Sequence, residues 1–400
     1  MIDSFEQGGS ERQALQLVRQ LHERGRCGVR LACLQNKGPL RGEAERLGLG
    51  EISEYPLTSF YDRNFVTQLR RLVRFIKENE IDVVHTHDFY TNIFGMTAAA
   101  MARVRARVAY KGETDGFRTA GRKRLERGAF RLAHRVVANS DAVRKQLIRE
   151  GVAAEKVVRH YNGLDLKRVA VQSGATREDI LAMLGLADRH LVTIVANLQH
   201  PVKDHPTFLR AAARVHAAIP DAAFVIAGEG KLMAPLRELT AQLGLERDVF
   251  FIGRCERVAE LLSVSDVCGL SSTAEGFSNS ILEYMAAARP VVVTDVGGAR
   301  EAVIEGETGY IVPAGDDEQM AERMIELLRD PQRACAMGAR GRSIVEERFF
   351  CDQHLANTLE LYSKLLSKDF NAKGAESSAK IAKDGPAPRS PADSSVSSVV

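Results

Sequence analysis

Two carboxylates eight positions apart, Glu275 and Glu283, are the residues whose types and spacing point most directly to chemistry. Glu275 stands in a short loop beside Gly276. Asn279 can cap a helix whose apolar members Ile281, Leu282, Tyr284, Met285 and Ala288 recur at helical spacing and carry Glu283 with them. A helix N-terminus presents free N–H groups and the positive end of a dipole, where a phosphate can rest. Carboxylates beside such an end accept hydrogen bonds from sugar hydroxyls. The following segment, 290–294, reads as a buried parallel strand, and Gly297-Gly298 after it lets another backbone or a ligand come close. The plainer alternative makes Glu275 a helix cap and Glu283 a solvated helix residue. It accounts for either residue alone, but not for the whole run 271–301.

That run, E-x7-E with Gly-Phe after the first Glu and a proline-led strand after the second, closely resembles the retaining GT-B glycosyltransferases of the glycogen-synthase-like family, of the family 4 type. Those enzymes use nucleotide-sugar donors. The resemblance covers about residues 1–367. It implies an α/β architecture of two Rossmann-like βαβ domains facing a cleft, with a C-terminal helix crossing back to the first domain. It implies further that Glu283 holds the donor ribose. Glu275 and the amides of Gly276, Phe277 and Ser278, at the helix start marked by Asn279, would face the donor sugar and diphosphate.

The elements that must position these groups are legible as alternating runs. Gly8-Gly9-Ser10 leads into an amphipathic helix with Ala14, Leu17, Val18 and Leu21 on its buried stripe and Gly25 at its end; Ser10 and Gln13 have the spacing of a capping box. By resemblance Gly8 and Gly9 lie against the donor phosphates; otherwise they make an ordinary tight turn. Only residues 1–3 are left for a first strand, against a usual length of about five or six. The expectation is a stub, or a true start further upstream. Strand-like segments at 28–34, 81–85, 107–110 and 135–139, with helices at 65–77 and 141–150, predict a parallel sheet with helices on both faces. Strands at 191–196, 223–227, 249–252 and 267–270, with helices at 206–218, 233–243 and 258–262, predict a second. Ligands then bind at the carboxyl ends of the strands. The expected domains are 1–165 on the acceptor side and 166–350 on the donor side, with a polar break near 172–178. A crossover helix at 351–367 and a disordered Lys-, Ala-, Ser-, Gly- and Pro-rich tail at 368–400 follow.

In the second half the family places an Arg and a Lys in the loop after the first strand, both directed at the donor diphosphate. Lys203 matches the Lys, but Asn197 stands where the Arg is expected, so one cation of the clamp is missing; Arg254 is a candidate replacement. Gly228 resembles the family's G-x-G turn, and Gly253-Arg254 falls where its members hold the nucleobase. Lys203 and Glu275 are the expected catalytic pair, Lys203 stabilising charge that grows on the leaving diphosphate. On the acceptor side, His87 ends a strand and can line the cleft, although a strand-end histidine bonded to backbone fits as well. The family's histidine after the next strand is replaced by Tyr110-Lys111-Gly112-Glu113, which makes Lys111 or Glu113 the candidates there.

Composition bounds the partners. A formal net charge of +3 does not call for nucleic acid. The charge is clustered, with eleven Lys or Arg against three acids from Arg103 to Arg135. A helix carrying Arg118, Arg122, Lys123, Arg124, Arg127, Arg131 and Arg135 suits an anionic bilayer or a diphosphate-linked lipid acceptor, or else is merely solvated. The six cysteines form no metal-ligand spacing and no D-x-D pair occurs, so neither metal nor cofactor is expected; the UDP- or GDP-linked donor is a substrate. With no long apolar run and no signal layout, the expected location is cytoplasmic, with peripheral contact on the inner membrane face. The expected function is transfer of a sugar, with retention, to a glycan or lipid-linked precursor. The rivals are a nucleotide-sugar epimerase on the same fold and a non-catalytic nucleotide-sugar-binding protein. A dinucleotide dehydrogenase is disfavoured, because no G-x-G-x-x-G opens either half.

Overall fold

The structure, a computed structural model, describes residues 1–6, 8–114, 118–171, 175–384 and 398–399, with 368–384 and 398–399 as backbone. The first half runs α1 (Gly9–Glu23), β1 (Gly28–Val29), β2 (Ala32–Cys33), α2 (Arg41–Arg46), β3 (Ser53–Glu54), α3 (Arg63–Glu78), β4 (Val83–His87), α4 (Phe89–Met101), β5 (Ala106–Lys111), α5 (Ala120–Leu132), β6 (Arg135–Ala138), α6 (Asp141–Arg149) and β7 (Val157–Arg159). The second runs α7 (Arg177–Leu184), β8 (His190–Val195), α8 (His205–Ala218), β9 (Ala222–Ala227), α9 (Met233–Gln242), β10 (Val249–Gly253), α10 (Val258–Val264), β11 (Val267–Leu270), α11 (Asn279–Ala286), β12 (Val291–Thr294), α12 (Ala299–Ala302), β13 (Gly309–Val312), α13 (Asp317–Arg329), α14 (Pro331–Arg348), α15 (Cys351–Asp384) and β14 (Ser398–Val399).

Every strand pairing is parallel, as strands joined by helical crossovers must be. The second sheet has the order β10-β9-β8-β11-β12-β13. Its central strands are buried on both faces, with Val291, Val292 and Val293 of β12 fully covered, while edge strand β10 is only half-buried. The first sheet has the order β1-β14-β4-β5-β6-β7. Residues 1–3 make single contacts with the sheet rather than a strand of their own. Ile2 bridges Cys33, and the Met1 carbonyl accepts from His87 N at 3.0 Å. The Met1 ammonium donates to the His85 carbonyl at 2.7 Å, and burial pushes its pKa down to about 5.

Two elements depart from the sequence reading. Helix α4 was not foreseen, because it is apolar all round: it lies buried between α3, α5 and the sheet and shows no amphipathic stripe. The tail expected to be disordered from 368 is instead helical backbone as far as Asp384, and β14 lies between β1 and β4. Ala and Lys are the commonest residues of the added helical stretch, and the first strong breaker pair, Gly385-Pro386, comes only after it. The rest of the tail, 385–397, lies outside the described residues, as do 172–174 of the expected polar break.

The two chain crossings between the halves bind each other. Leu164 N donates to the Phe349 carbonyl at 2.8 Å, and Cys351 N donates to the Leu164 carbonyl at 3.0 Å. Gly163 is required there, since a Cβ would come within 2.7 Å of Cys351 Cα.

Candidate active site

In the second sheet the strand order reverses between β8 and β11, so the loops after those strands part and leave a crevice. Lys203 comes from the loop after β8 and Glu275 from the loop after β11. They meet there, Lys203 Nζ 2.6 Å from Glu275 Oε1 with both side chains mostly covered. Ser272 Oγ donates to the same oxygen at 2.6 Å. The two loops also bind one another: Ser271 Oγ donates to the Lys203 and Asp204 carbonyls, both at 2.9 Å, and Thr273 N donates to the Val202 carbonyl at 2.8 Å. His205 opens α8 beside Lys203. Burial, and then the Lys203 charge, lower its pKa to about 4, so it is neutral near pH 7 and adds no second cation.

The other wall is the start of α1. Asn279 is not the cap expected of it. It is the first residue of α11, behind Ser278 at the cap position, and its amide reaches across to the Gly9 carbonyl at 3.2 Å. Gln13 Nε2 and Asn162 Nδ2 donate to Asn279 Oδ1 at 3.1 and 2.9 Å. The capping box expected at Ser10 and Gln13 is therefore absent. Gln13 is drawn to Asn279 and the Gly163 carbonyl, and Gly8 takes the cap position without a side-chain bond. The N-terminal ends of α1 and α11 thus face each other, a pairing of two positive dipole ends that favours an anion between them.

Around this centre the other named residues fall as follows. Gly276 packs on the Gly112 carbonyl, where any Cβ would overlap, and its own carbonyl accepts from Gly298 N at 2.7 Å. Phe277 turns its ring away into the core between Tyr161 and Phe349, leaving its backbone at the site. Glu283 lies on the covered face of α11, 9% exposed; burial raises its pKa, while Arg168, 3.8 Å away, and Arg12 lower it. Asn197 closes a turn by accepting from Gln199 N at 3.2 Å. Gly228 N donates to the Gly253 carbonyl at 2.8 Å, and Arg254 lies 3.8 Å from the exposed Glu256.

The acceptor-side expectations need correction. Lys111 points into the first half, 2% exposed, and pairs with buried Glu126 at 3.0 Å. An ammonium on a buried strand end needs a counter-charge, and α5 supplies it before any ligand can. His87 is buried too, stacked on His85 and tilted against Tyr110, and burial holds its pKa well below the usual histidine value. Glu113 remains half-exposed and pairs with Arg118. The basic segment is also partly spent: Arg118 and Lys123 pair with Glu126 and Glu150, and Arg127 donates to the Glu150 carbonyl. Arg118 precedes α5 and Arg135 lies in β6, so the exposed basic residues of the helix are Arg122, Arg124 and Arg131, of which Arg124 and Arg131 share a face.

Sequence reasoning missed Arg12, Arg168, Ser272 and Glu301 as site neighbours. Glu301 accepts from Asp141 N and Ala142 N at 2.7 and 3.0 Å, so a carboxylate of the second half sits on the N-terminus of α6 in the first. Spacing along the chain carries no signal for such long-range pairs.

Comparison with known proteins agrees with this geometry. Residues 7–168 match the family described as Glycosyltransferase Family 4, and residues 189–330 match Glycosyl transferases group 1. A putative glycosyltransferase EpsD of Bacillus subtilis is 27% identical over 78% of this chain and 84% of its own. A UDP-Gal:alpha-D-GlcNAc-diphosphoundecaprenol alpha-1,3-galactosyltransferase of Escherichia coli is 27% identical over 65% of this chain and 69% of its own. Among solved structures, Anabaena HepE in complex with UDP-glucose superposes with a TM-score of 0.81 at 21% identity, over 91% of this chain and 98% of that one. No helix among the described residues is long and apolar enough to cross a membrane. The chain carries a Glycosyltransferase Family 4 domain followed by a Glycosyl transferases group 1 domain, and is a glycosyltransferase on the GT-B fold.

Proposed function

We propose that this enzyme transfers a hexose from a UDP-linked donor, with retention at the anomeric carbon, to a lipid-linked or polysaccharide acceptor. The observation that carries the reading is the convergence of the α1 and α11 N-termini on one side of the Lys203–Glu275 pair, at the switch point of the second sheet. Lys203 and the amides at Gly8, Gly9, Gly276, Phe277 and Ser278 face the diphosphate, and they stabilise the charge that grows on it as the sugar–phosphate bond breaks. Glu275 faces the reacting sugar, and Glu283 accepts from the ribose hydroxyls. Asn197, Gly228 and Arg254 border the donor, with the base beside Gly253-Arg254. The HepE complex with UDP-glucose and the diphosphoundecaprenol acceptor of the E. coli relative favour these donor and acceptor classes. The exposed arginines of α5 suit the anionic membrane on which such an acceptor is carried.

The test is kinetic. Glu283→Ala removes an interaction made equally in ground and transition states, so it is expected to raise the donor KM more than it lowers kcat. Glu275→Gln acts where charge develops and is expected to lower kcat by roughly a hundredfold. UDP release that requires an added acceptor is expected of the unaltered enzyme. Two variants with unchanged kinetics would end the assignment of this site.

A further inference from the structure

The donor cleft holds cations that the family resemblance does not assign. Arg168, on the 3-10 turn Leu166–Arg168, places a guanidinium nitrogen 3.8 Å from Glu283 Oε1. Arg12, in the first turn of α1, lies on the opposite wall. That turn is tied to α11 by Asn279 Nδ2 on the Gly9 carbonyl and by Gln13 Nε2 on Asn279 Oδ1. Arg12 is largely covered and in electrostatic reach of Arg168, Glu283, Glu43 and Arg254. Guanidinium groups from α1 and from the turn into the second half therefore share a single buried carboxylate, Glu283. Arg168 and Arg254 repel Arg12, while Glu283 and Glu43 attract it. The N-termini of α1 and α11 add two positive dipole ends beside these guanidinium groups. An anion lying between those ends and the guanidinium groups is stabilised.

We propose that Arg12 grips the donor diphosphate from the first-half wall, with Arg168 beside it, and supplies the bidentate cation whose usual place Asn197 occupies. The inference rests on the donor reading above and deepens it. Lys203 holds the diphosphate from the second half and Arg12 from the first, so full affinity requires both walls to be in contact with it.

The experiment is calorimetric titration of UDP and of uridine into the unaltered enzyme, Arg12→Ala and Arg12→Lys, with melting temperature recorded for each. Losing one charge-assisted contact is expected to weaken UDP binding by roughly tenfold to a hundredfold, with uridine affinity changed by less than about twofold. Arg12→Lys is expected to recover only part of the loss, because an ammonium is a point charge without the planar fork. If Arg12→Ala melts too early to titrate, Arg12→Gln, which keeps most of the length and removes the charge, is read in its place. Unchanged UDP affinity overturns the inference, as do equal losses for UDP and uridine, which would reduce Arg12 to a prop for Glu283. An unaltered enzyme that binds none of UDP, GDP and ADP overturns the donor reading itself, an outcome distinct from the other two.

Discussion

Lys111 has the type and sequence position of a reactive group but none of the access. Its chemistry is consumed by Glu126, and removing either partner would strand a buried charge, which typically costs about 3–5 kcal/mol. Glu11, in the first turn of α1, shows the opposite case, a residue that no motif marks and whose surroundings make it unusual. Burial raises its pKa to about 7, helped by Asp3, Glu113 and Glu6 and opposed by a backbone hydrogen bond. Asp88 beside it is raised too, by burial and then by Glu11. A raised folded-state pKa means that the folded protein holds the proton more tightly. The stability from Glu11 is then fully present below its ordinary pKa of 4.5 and is lost as pH rises to about 7. Glu11→Gln is therefore expected to be more stable than the unaltered enzyme at pH 8, by up to about 3 kcal/mol, with the gap closing by pH 4.5. Denaturant melts at the two pH values check this; a gap independent of pH would contradict it.

At the scale of elements, the site is built from helix starts and strand ends that belong to different halves. Helix α6 is capped twice. Ser140 accepts from Val143 N at 3.1 Å within the first half, and Glu301 accepts from the first two helix amides across the cleft. A charged acceptor at a helix N-terminus is stabilising, and cap losses run to about 1–2 kcal/mol. Glu301→Ala is expected to lower stability by that order and to raise the donor KM, because the carboxylate ties together the two walls that the donor must touch. The same variant with lower stability and an unchanged donor KM would make Glu301 a cap and nothing more. The resemblance covers residue 301, but a capping partner in the other half follows only from the tertiary contact.

At the scale of the whole molecule, charge is distributed more narrowly than composition indicates. The basic segment 103–135 reads as one patch, yet Lys111, Arg118 and Lys123 face acids of the protein itself. The exposed remainder on α5 is Arg122, Arg124 and Arg131. Each basic residue near an anionic surface adds on the order of 1 kcal/mol. Changing these three to Glu is expected to abolish sedimentation with phosphatidylserine vesicles at low salt while leaving UDP affinity as it was. Equal sedimentation of both proteins would show the face to be merely solvated.

The sequence by itself determined the fold class and most of the element order. Those depend on local patterns: short continuous apolar runs in strands such as 191–196, the helical stripe on α1, and the loop–helix–strand run 271–301. Lys203 and Glu275, named from separate motifs, come together at 2.6 Å because strand order reverses between β8 and β11, a fact of topology that no local pattern carries. The misses have the same origin. An evenly apolar helix such as α4 has no stripe to read, and a polar Ala- and Lys-rich stretch after residue 367 has helix propensity without apolar periodicity. The partners of Lys111, Asn279, Glu301 and Arg12 lie on other elements, all but that of Lys111 across the cleft, and only tertiary structure decided them. A buried or crowded charge takes whichever counter-charge the fold brings within a few ångströms, wherever that residue stands in the chain.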